Sequence, residues 1–223
     1  MGRSICVVFD IDDTLYLERD YVHSGFDAVG RWAAKCVQIG DFGERCWKLF
    51  TMGRRGSIFD DVLNEMGIQS SLELISALVE TYRTHTPSIS LAADASEALA
   101  EIGRIATIAI VSDGPLASQS RKVEALGLSS LAAPIVLTEA LGSEFRKPHP
   151  KGFEQVQQRR PADLFVYVAD NPRKDFTGPK HLGWKTVRVR REGGLHCGVE
   201  NLVAAPDFEM KDCSGLPEAL AHL

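Results

Sequence analysis

Apolar positions along this chain follow two rhythms. Ile5-Cys6-Val7-Val8-Phe9 is a continuous apolar run, β-branched and aromatic, without Pro or Gly. That pattern fits a strand buried on both faces. The run stops at Asp10-Ile11-Asp12-Asp13-Thr14-Leu15, with three carboxylates within four positions. From Tyr16 to about Pro87 the spacing is helical instead. Ser24 to Val37 places Phe26, Val29, Trp32, Ala33 and Cys36 near a 3.6-residue period. Phe42 to Met52 carries Cys46, Trp47, Leu49 and Phe50. Gly56-Ser57 reads as a turn with an N-cap opening a helix through Ile58, Phe59, Val62, Leu63 and Met66, which Gly67 ends. Ser70-Ser71 opens another, with Leu72, Leu74, Ile75, Leu78, Val79 and Tyr82 inward. The pattern predicts a compact module of about four helices inserted directly after the first strand.

Beyond Pro87 strands and helices alternate. The expected order is helix 95–102, strand 105–111, helix 115–126 ended by Gly127, strand 134–137 and helix 149–158, then strand 164–169, helix 173–182 and strand 186–189. Residues 207–223 add a small strand and a terminal helix, Pro217 to His222. Such alternation predicts an α/β fold with a doubly wound parallel sheet and right-handed crossovers. The expected division is a core of residues 1–15 and 88–223 and a helical insert of residues 16–87.

The chain has 223 residues and a formal net charge of -5, which offers nothing general to nucleic acid or anionic lipid. Its apolar runs are too short to span a bilayer, and the first strand begins too early for a signal peptide. Five scattered cysteines without a C-x-x-C spacing indicate neither a disulfide framework nor a zinc ribbon, so a reducing cytoplasm is expected.

Polar groups recur where apolar strands stop. Ser112-Asp113-Gly114 follows the second core strand, Asp170-Asn171-Pro172-Arg173-Lys174-Asp175 follows the fourth, and Arg146-Lys147-Pro148-His149-Pro150 lies between them. In a parallel sheet these converge on the edge that holds Asp10 and Asp12, where open α/β sheets bind ligands. Like charges so close are costly, and a bound cation offsets the cost. Carboxylates, a hydroxyl beside a glycine amide, and a lysine are what metal-assisted phosphoryl transfer needs.

In these residues the chain resembles the haloacid dehalogenase superfamily. FDIDDTL resembles its D-x-D-x-T signature through Asp10, Asp12 and Thr14; IVSDG its second motif through Ser112; Lys147 its third; DNPRKD its acidic fourth through Asp170 and Asp175. The resemblance spans about residues 5–190 and implies a Rossmann-like core, with residues 16–87 as a C1-type helical cap. It implies Asp10 as nucleophile, Asp12 as general acid and then base, and Mg²⁺ held by Asp10, the Asp12 carbonyl and Asp170. Ser112, Lys147, the Gly114 amide and Thr14 would handle the phosphoryl group, with Asp175 supporting Asp170 or Lys147. Asp10 is expected to have a lowered pKa beside a metal and a lysine, and Asp12 to retain a proton beside other acids.

Several other residues invite a role. Asp13 is read as a turn residue, His149 as peripheral, Trp32, Trp47 and Phe50 as cap core, and His196 with Cys197 as too few ligands for a metal. Arg54 and Arg55 beside Gly56 are the candidates for substrate selection, because a guanidinium fork suits a second anionic group. The expected activity is a Mg²⁺-dependent phosphatase acting on a small phosphorylated metabolite: a nucleotide, a sugar phosphate or a small acid phosphate. A dehalogenase would not need Asp12 or Asp170. A phosphomutase needs cap groups that hold a bisphosphate, and a phosphonatase needs a cap lysine, for which Lys35 and Lys48 have no telling context. A non-catalytic scaffold would be expected to have lost a site residue, and none is missing.

Overall fold

The computed structural model describes residues 3–200 and 203–220. In chain order the elements are β1 (Ile5–Phe9), α1 (Glu18–Cys36), α2 (Phe42–Thr51), α3 (Ile58–Glu65), α4 (Leu72–Thr84), α5 (Ala93–Ile102), β2 (Thr107–Ser112), α6 (Leu116–Ala125) and β3 (Ile135–Leu137). Then come α7 (Lys151–Arg159), β4 (Leu164–Ala169), α8 (Thr177–His181), β5 (Lys185–Val189), β6 (Phe208–Met210) and α9 (Leu216–Leu220). The chain divides into two compact units, Met1–Glu18 with Ser90–Leu223, and Arg19–Ile89. The division falls two to three residues beyond the expected boundaries at 15/16 and 87/88.

The first unit is an α/β core. Its sheet has six strands in the order β3-β2-β1-β4-β5-β6, and all neighbours run parallel. β1 lies between β2 and β4, with Phe9 opposite Ile110 and Val168. The Asp10 amide continues the ladder by donating to the Val168 carbonyl at 2.9 Å. Strands β1, β2 and β4 therefore leave the sheet on one edge, which delivers Asp10, Ser112 and Asp170 together. One sheet face packs Cys6, Val8, Ala109, Val111, Val136, Phe165 and Tyr167 against Phe153 and Val156 of α7 and against Trp184. Phe153 meets Tyr167 edge-on, with ring centres 4.8 Å apart, and Trp184 stacks on Phe165 at 4.5 Å.

The helical unit is organised around Phe26 of α1, whose ring meets Phe50, Phe59 and Tyr82 from three other helices. Ser71 caps α4, its hydroxyl accepting from the Leu74 amide at 3.1 Å. The expected Ser57 cap is not made. That residue takes a left-handed φ of 40°, which turns its hydroxyl away from the helix amides. The helix expected over 173–182 shortens to α8, because the Asp175 carboxylate accepts the Asn171 amide and bends residues 171–175 into a turn. The terminal helix is described to Leu220, and positions 221 and 222 of the expected span lie outside the described residues.

Phe153 is fully buried between two aromatic partners. Phe153→Ala should lower unfolding free energy by about 3–5 kcal/mol, the cost of a large aromatic cavity. Urea denaturation measures it, and a loss under about 1 kcal/mol would mean that this face repacks freely.

Candidate active site

The buried end of β1 is crowded with charge. Asp10 is 3% exposed; its Oδ2 lies 3.0 Å from Lys147 Nζ, and its Oδ1 has no hydrogen-bond partner among the described residues. Lys147 also reaches Asp175 Oδ1 at 2.7 Å and the Tyr167 hydroxyl at 3.0 Å, and its side chain is fully buried. One ammonium thus serves two carboxylates and a phenol. Carboxylate oxygens of Asp10, Asp170 and Asp175 lie within 4.8 Å of one another. Asp170 Oδ2 is buried without a hydrogen-bond partner among the described residues. A hard dication such as Mg²⁺ prefers oxygen donors of this kind, and two unsatisfied buried carboxylate oxygens are what such an ion would satisfy.

Two carboxylates two residues apart end in opposite electrostatic settings. Burial pushes Asp10 above the usual carboxylate range; Lys147 offsets this only in part, and the Asp175 charge adds to it. Burial likewise raises Asp170 well above its ordinary value, reinforced by Asp175 and Asp10. Burial alone would raise Asp12 too, but it has a cation of its own. Lys122 Nζ lies 2.6 and 2.8 Å from its two oxygens, with Gln119 Nε2 at 2.9 Å and the Tyr16 hydroxyl at 2.5 Å. Together they hold Asp12 below the usual range. The chain's own groups thus act opposite to the expected split, which counted a metal beside Asp10. The physical reason is that Asp10 shares its lysine and Asp12 does not.

The loop after β2 carries the other polar groups. Ser112 is buried and donates to Gln119 Oε1 at 3.1 Å. Asp113 accepts from Thr138 at 2.6 Å and from the Lys147 amide at 3.1 Å, so it ties the Lys147 segment to this loop. Gly114 has φ 137°, and a Cβ there would stand 2.8 Å from Gln119 Nε2. Only glycine fits that backbone and that space. Thr14 is buried with no partner for its hydroxyl among the described residues, while its carbonyl accepts from Arg191 at 2.8 Å. Asp13 takes the turn role read from the sequence. Its φ is 51°, and its carboxylate accepts the amides of Glu18 at 2.8 Å and Leu195 at 2.7 Å.

Arg54 and Arg55 lie in the helical unit with partners of their own. Arg54 forks onto Asp61, and Arg55 donates to the Phe50 carbonyl at 2.7 Å with its guanidinium 3.9 Å from the Phe50 ring centre. Both are spent on holding the α2–α3 turn. Trp47, read as core, is half-buried and lines an open polar cavity of about 460 Å³ with Arg19, Asp20, His23, Arg31 and Ser88.

Sequence reading missed Gln119, Lys122, Tyr16 and Tyr167. A signal for the first two was present. The buried residues of α6 are Ser118, Gln119 and Lys122, so this helix turns a polar stripe inward where an amphipathic helix would put apolar residues.

The sequence profile of the haloacid dehalogenase-like hydrolases matches residues 6–183. The chain is 28% identical over 218 residues to a glyceraldehyde 3-phosphate phosphatase of Methanopyrus kandleri, covering 92% of this chain and 91% of that protein. It is 26% identical over 195 residues to the protein of the same name from Methanocaldococcus jannaschii, covering 82% and 83%. Among solved structures, the HAD hydrolase YfnB of Bacillus subtilis, crystallised with magnesium, superposes with a TM-score of 0.70 at 18% identity, covering 98% of this chain and 99% of that one. A 2-haloacid dehalogenase of Pseudomonas syringae gives a TM-score of 0.69 at 22% identity, covering 98% and 99%. At such identities the two structures establish a shared fold.

Half-buried Glu18, the first residue of α1, supplies a pH test. Burial, with the Asp12 charge adding to it, pushes its carboxyl up to about 7 from an ordinary 4.5. Between those values the folded chain keeps a proton that the unfolded chain has released, so folding stability falls as pH rises through that window. Below 4.5 both states are protonated and there is no penalty. Glu18→Gln should therefore raise Tm at pH 8 and leave it nearly unchanged near pH 4.5. Thermal unfolding of the metal-free protein at both pH values checks this, and an equal shift at both would dismiss the Glu18 charge as the cause.

Proposed function

The chain belongs to the haloacid dehalogenase-like hydrolases, and from that premise we propose that it is a Mg²⁺-dependent phosphatase of small phosphomonoesters that works through an aspartyl-phosphate. The observation that carries the reading is the buried Asp10–Lys147–Asp175–Asp170 cluster at the strand ends, with one Asp10 oxygen unengaged. An Asp10 carboxylate oxygen attacks phosphorus while the ester oxygen leaves. The family resemblance makes Asp12 the group that gives that oxygen a proton; its ion pair with Lys122 suits it above all to the later step, in which it takes a proton from the water that hydrolyses the acyl phosphate. Lys147 holds Asp10 Oδ2 and so fixes the orientation of that carboxylate. Ser112 and the Gly114 amide supply donors to the phosphoryl oxygens. Asp10, Asp170 and the Asp12 carbonyl would hold the dication, and Asp175 anchors Lys147 beside them. When bound, the ion supplies positive charge for the phosphoryl oxygens.

The paired carboxylates favour this reading over a dehalogenase, which needs neither Asp12 nor an acid cluster for a cation. A short sugar phosphate is the first substrate class to try, because both curated relatives are named for glyceraldehyde 3-phosphate. We assign choice of the leaving group to the helical unit acting as a cap. Its polar cavity around Arg19, His23 and Trp47 is a better candidate for that task than the engaged Arg54 and Arg55. Among the described residues no helix is long and apolar enough to cross a membrane. A reducing cytoplasm is the compartment we propose, on the ground of five scattered cysteines without a disulfide spacing.

Phosphate release from glyceraldehyde 3-phosphate, nucleotides and small acid phosphates should require Mg²⁺ and stop in excess chelator. Full turnover in chelator, or halide release from a 2-haloacid, would sink the phosphatase reading.

Asp10→Asn should abolish the trapped phosphoryl-enzyme. Asp12→Asn should retain substrate binding while slowing turnover by about 10²-fold or more. Rapid-quench labelling followed by peptide mapping locates the phosphoryl group, and label on any other residue would overturn the Asp10 assignment.

A further inference from the structure

Three lysines stand at the strand-end edge of the core, and two of them are fully engaged. The Lys122 ammonium lies 2.6 and 2.8 Å from the two oxygens of Asp12, and that of Lys147 lies 3.0 and 2.7 Å from Asp10 and Asp175. Their side chains are 4% and 0% exposed. Lys174 differs from both. Its side chain is 35% exposed, and among the described residues its ammonium has one partner, Asp113 Oδ2 at 3.5 Å. That distance is the outer limit of a hydrogen bond, and an ammonium carries three donors. We infer that Lys174 is a specificity-determining residue, which donates to an oxygen of the leaving group: a hydroxyl or carboxylate on the carbons next to the phosphoester. The inference deepens the phosphatase reading and rests on it.

The backbone that carries Lys174 is held in place. The turn between β4 and α8 closes where the Asn171 carbonyl accepts the amides of Lys174 at 3.3 Å and Asp175 at 3.1 Å. The Asp175 carboxylate accepts the Asn171 amide at 2.9 Å, and Asn171 Oδ1 accepts the Arg173 amide at 3.1 Å. From this turn the Lys174 side chain crosses to the loop after β2, where Asp113 lies between Ser112 and Gly114. Those two flanking residues are the donors proposed for the phosphoryl oxygens. Asp113 Oδ1 is engaged by the Thr138 hydroxyl at 2.6 Å and the Lys147 amide at 3.1 Å, so the carboxylate on which Lys174 leans is itself fixed. Burial raises the carboxyls of Asp10 and Glu18, and the Lys174 charge offsets part of the rise in both.

In-line displacement decides which end of a substrate meets this lysine. The leaving oxygen departs on the side opposite the attacking one. Asp10 is 3% exposed and Ser112 1%, so the nucleophile and the phosphoryl donors form a buried floor, and the leaving group extends from it toward solvent. Of the three lysines only Lys174 reaches solvent on that edge. A hydroxyl or carboxylate close to the ester replaces the water on its ammonium. An alkyl chain in the same place strips that water and returns no acceptor, and a site built to donate a hydrogen bond rejects such an analogue strongly.

The test uses propyl phosphate, glycerol 3-phosphate and 3-phosphoglycerate with saturating Mg²⁺. All share one carbon-chain length, and the chain bears no further oxygen, hydroxyls, or a hydroxyl with a carboxylate. The wild-type protein should favour both oxygen-bearing esters in kcat/KM. In Lys174→Met, verified as folded by thermal unfolding, that preference over propyl phosphate should fall by about tenfold or more, the weight of a hydrogen bond to a charged group. A weaker hold on the shared phosphoryl group acts on all the esters alike, and their intrinsic reactivities are the same for both proteins, so both cancel from the ratio. Arg173→Met, which removes an exposed cation from the same turn, should leave the ratio unchanged. A fall confined to 3-phosphoglycerate supports a carboxylate partner, and a fall on both esters supports a hydroxyl. No wild-type preference, an equal loss on all the esters in Lys174→Met, or the same fall in Arg173→Met overturns the inference. If Lys174→Met does not fold, Lys174→Gln decides on 3-phosphoglycerate, because a neutral amide cannot pair with its charge. Wild-type turnover of p-nitrophenyl phosphate without turnover of the oxygen-bearing esters overturns the inference and leaves the phosphatase reading standing. Turnover of no ester at all overturns that reading.

Discussion

One buried ammonium holds the core site together. Lys147 Nζ stands between Asp10 and Asp175, with its side chain out of solvent and the Tyr167 hydroxyl as a third partner. Ions taken out of water need partners and complete hydrogen bonding. Lys147 therefore fixes the relative positions of three segments: the end of β1, the turn after β4 and the loop before α7. Asp113 secures the last of these by accepting the Lys147 amide. Burial disfavours the charged lysine, yet the two carboxylates hold its pKa well above the ordinary value. The cation is a permanent part of the fold.

That arrangement leaves a surplus of negative charge on one side. Three carboxylates gather around one lysine, and Asp10 and Asp170 each keep an oxygen that nothing among the described residues satisfies. Protons or a dication relieve that surplus, and either changes what Asp10 can do. Asp12 escapes the competition because α6 brings a second lysine to it. The signature D-x-D thus places two chemically alike groups two residues apart, and the surrounding elements make them different. One is poised beside a charge deficit, and the other is locked in an ion pair with an amide bridge to Ser112.

The parallel sheet was legible because β1, β4 and most of β2 are continuous apolar runs, and such runs have few alternatives to burial. The helical insert was legible from its 3.6-residue spacing. Local rules failed where a distant partner decided. Ser57 had cap chemistry but a left-handed backbone. Residues 173–176 had helical spacing but are bent into a turn that Asp175 holds. Arg54 and Arg55 read as an open guanidinium pair, but Asp61 and the Phe50 ring engage them across a turn.

By itself, the sequence determined that Asp10, Ser112, Lys147 and Asp170 would meet. Each lies just past an apolar strand or at the mouth of a helix, and parallel topology sends all such ends to one edge. Only the tertiary structure decided which carboxylate keeps its cation to itself. Lys122 and Gln119 are 110 and 107 residues from Asp12, on a helix whose polar inner stripe has no local meaning. Charge partnership over such separations depends on packing, because a carboxylate's field acts through space; the polar stripe of α6 shows that something polar faces it, and only the packing shows that it is Asp12.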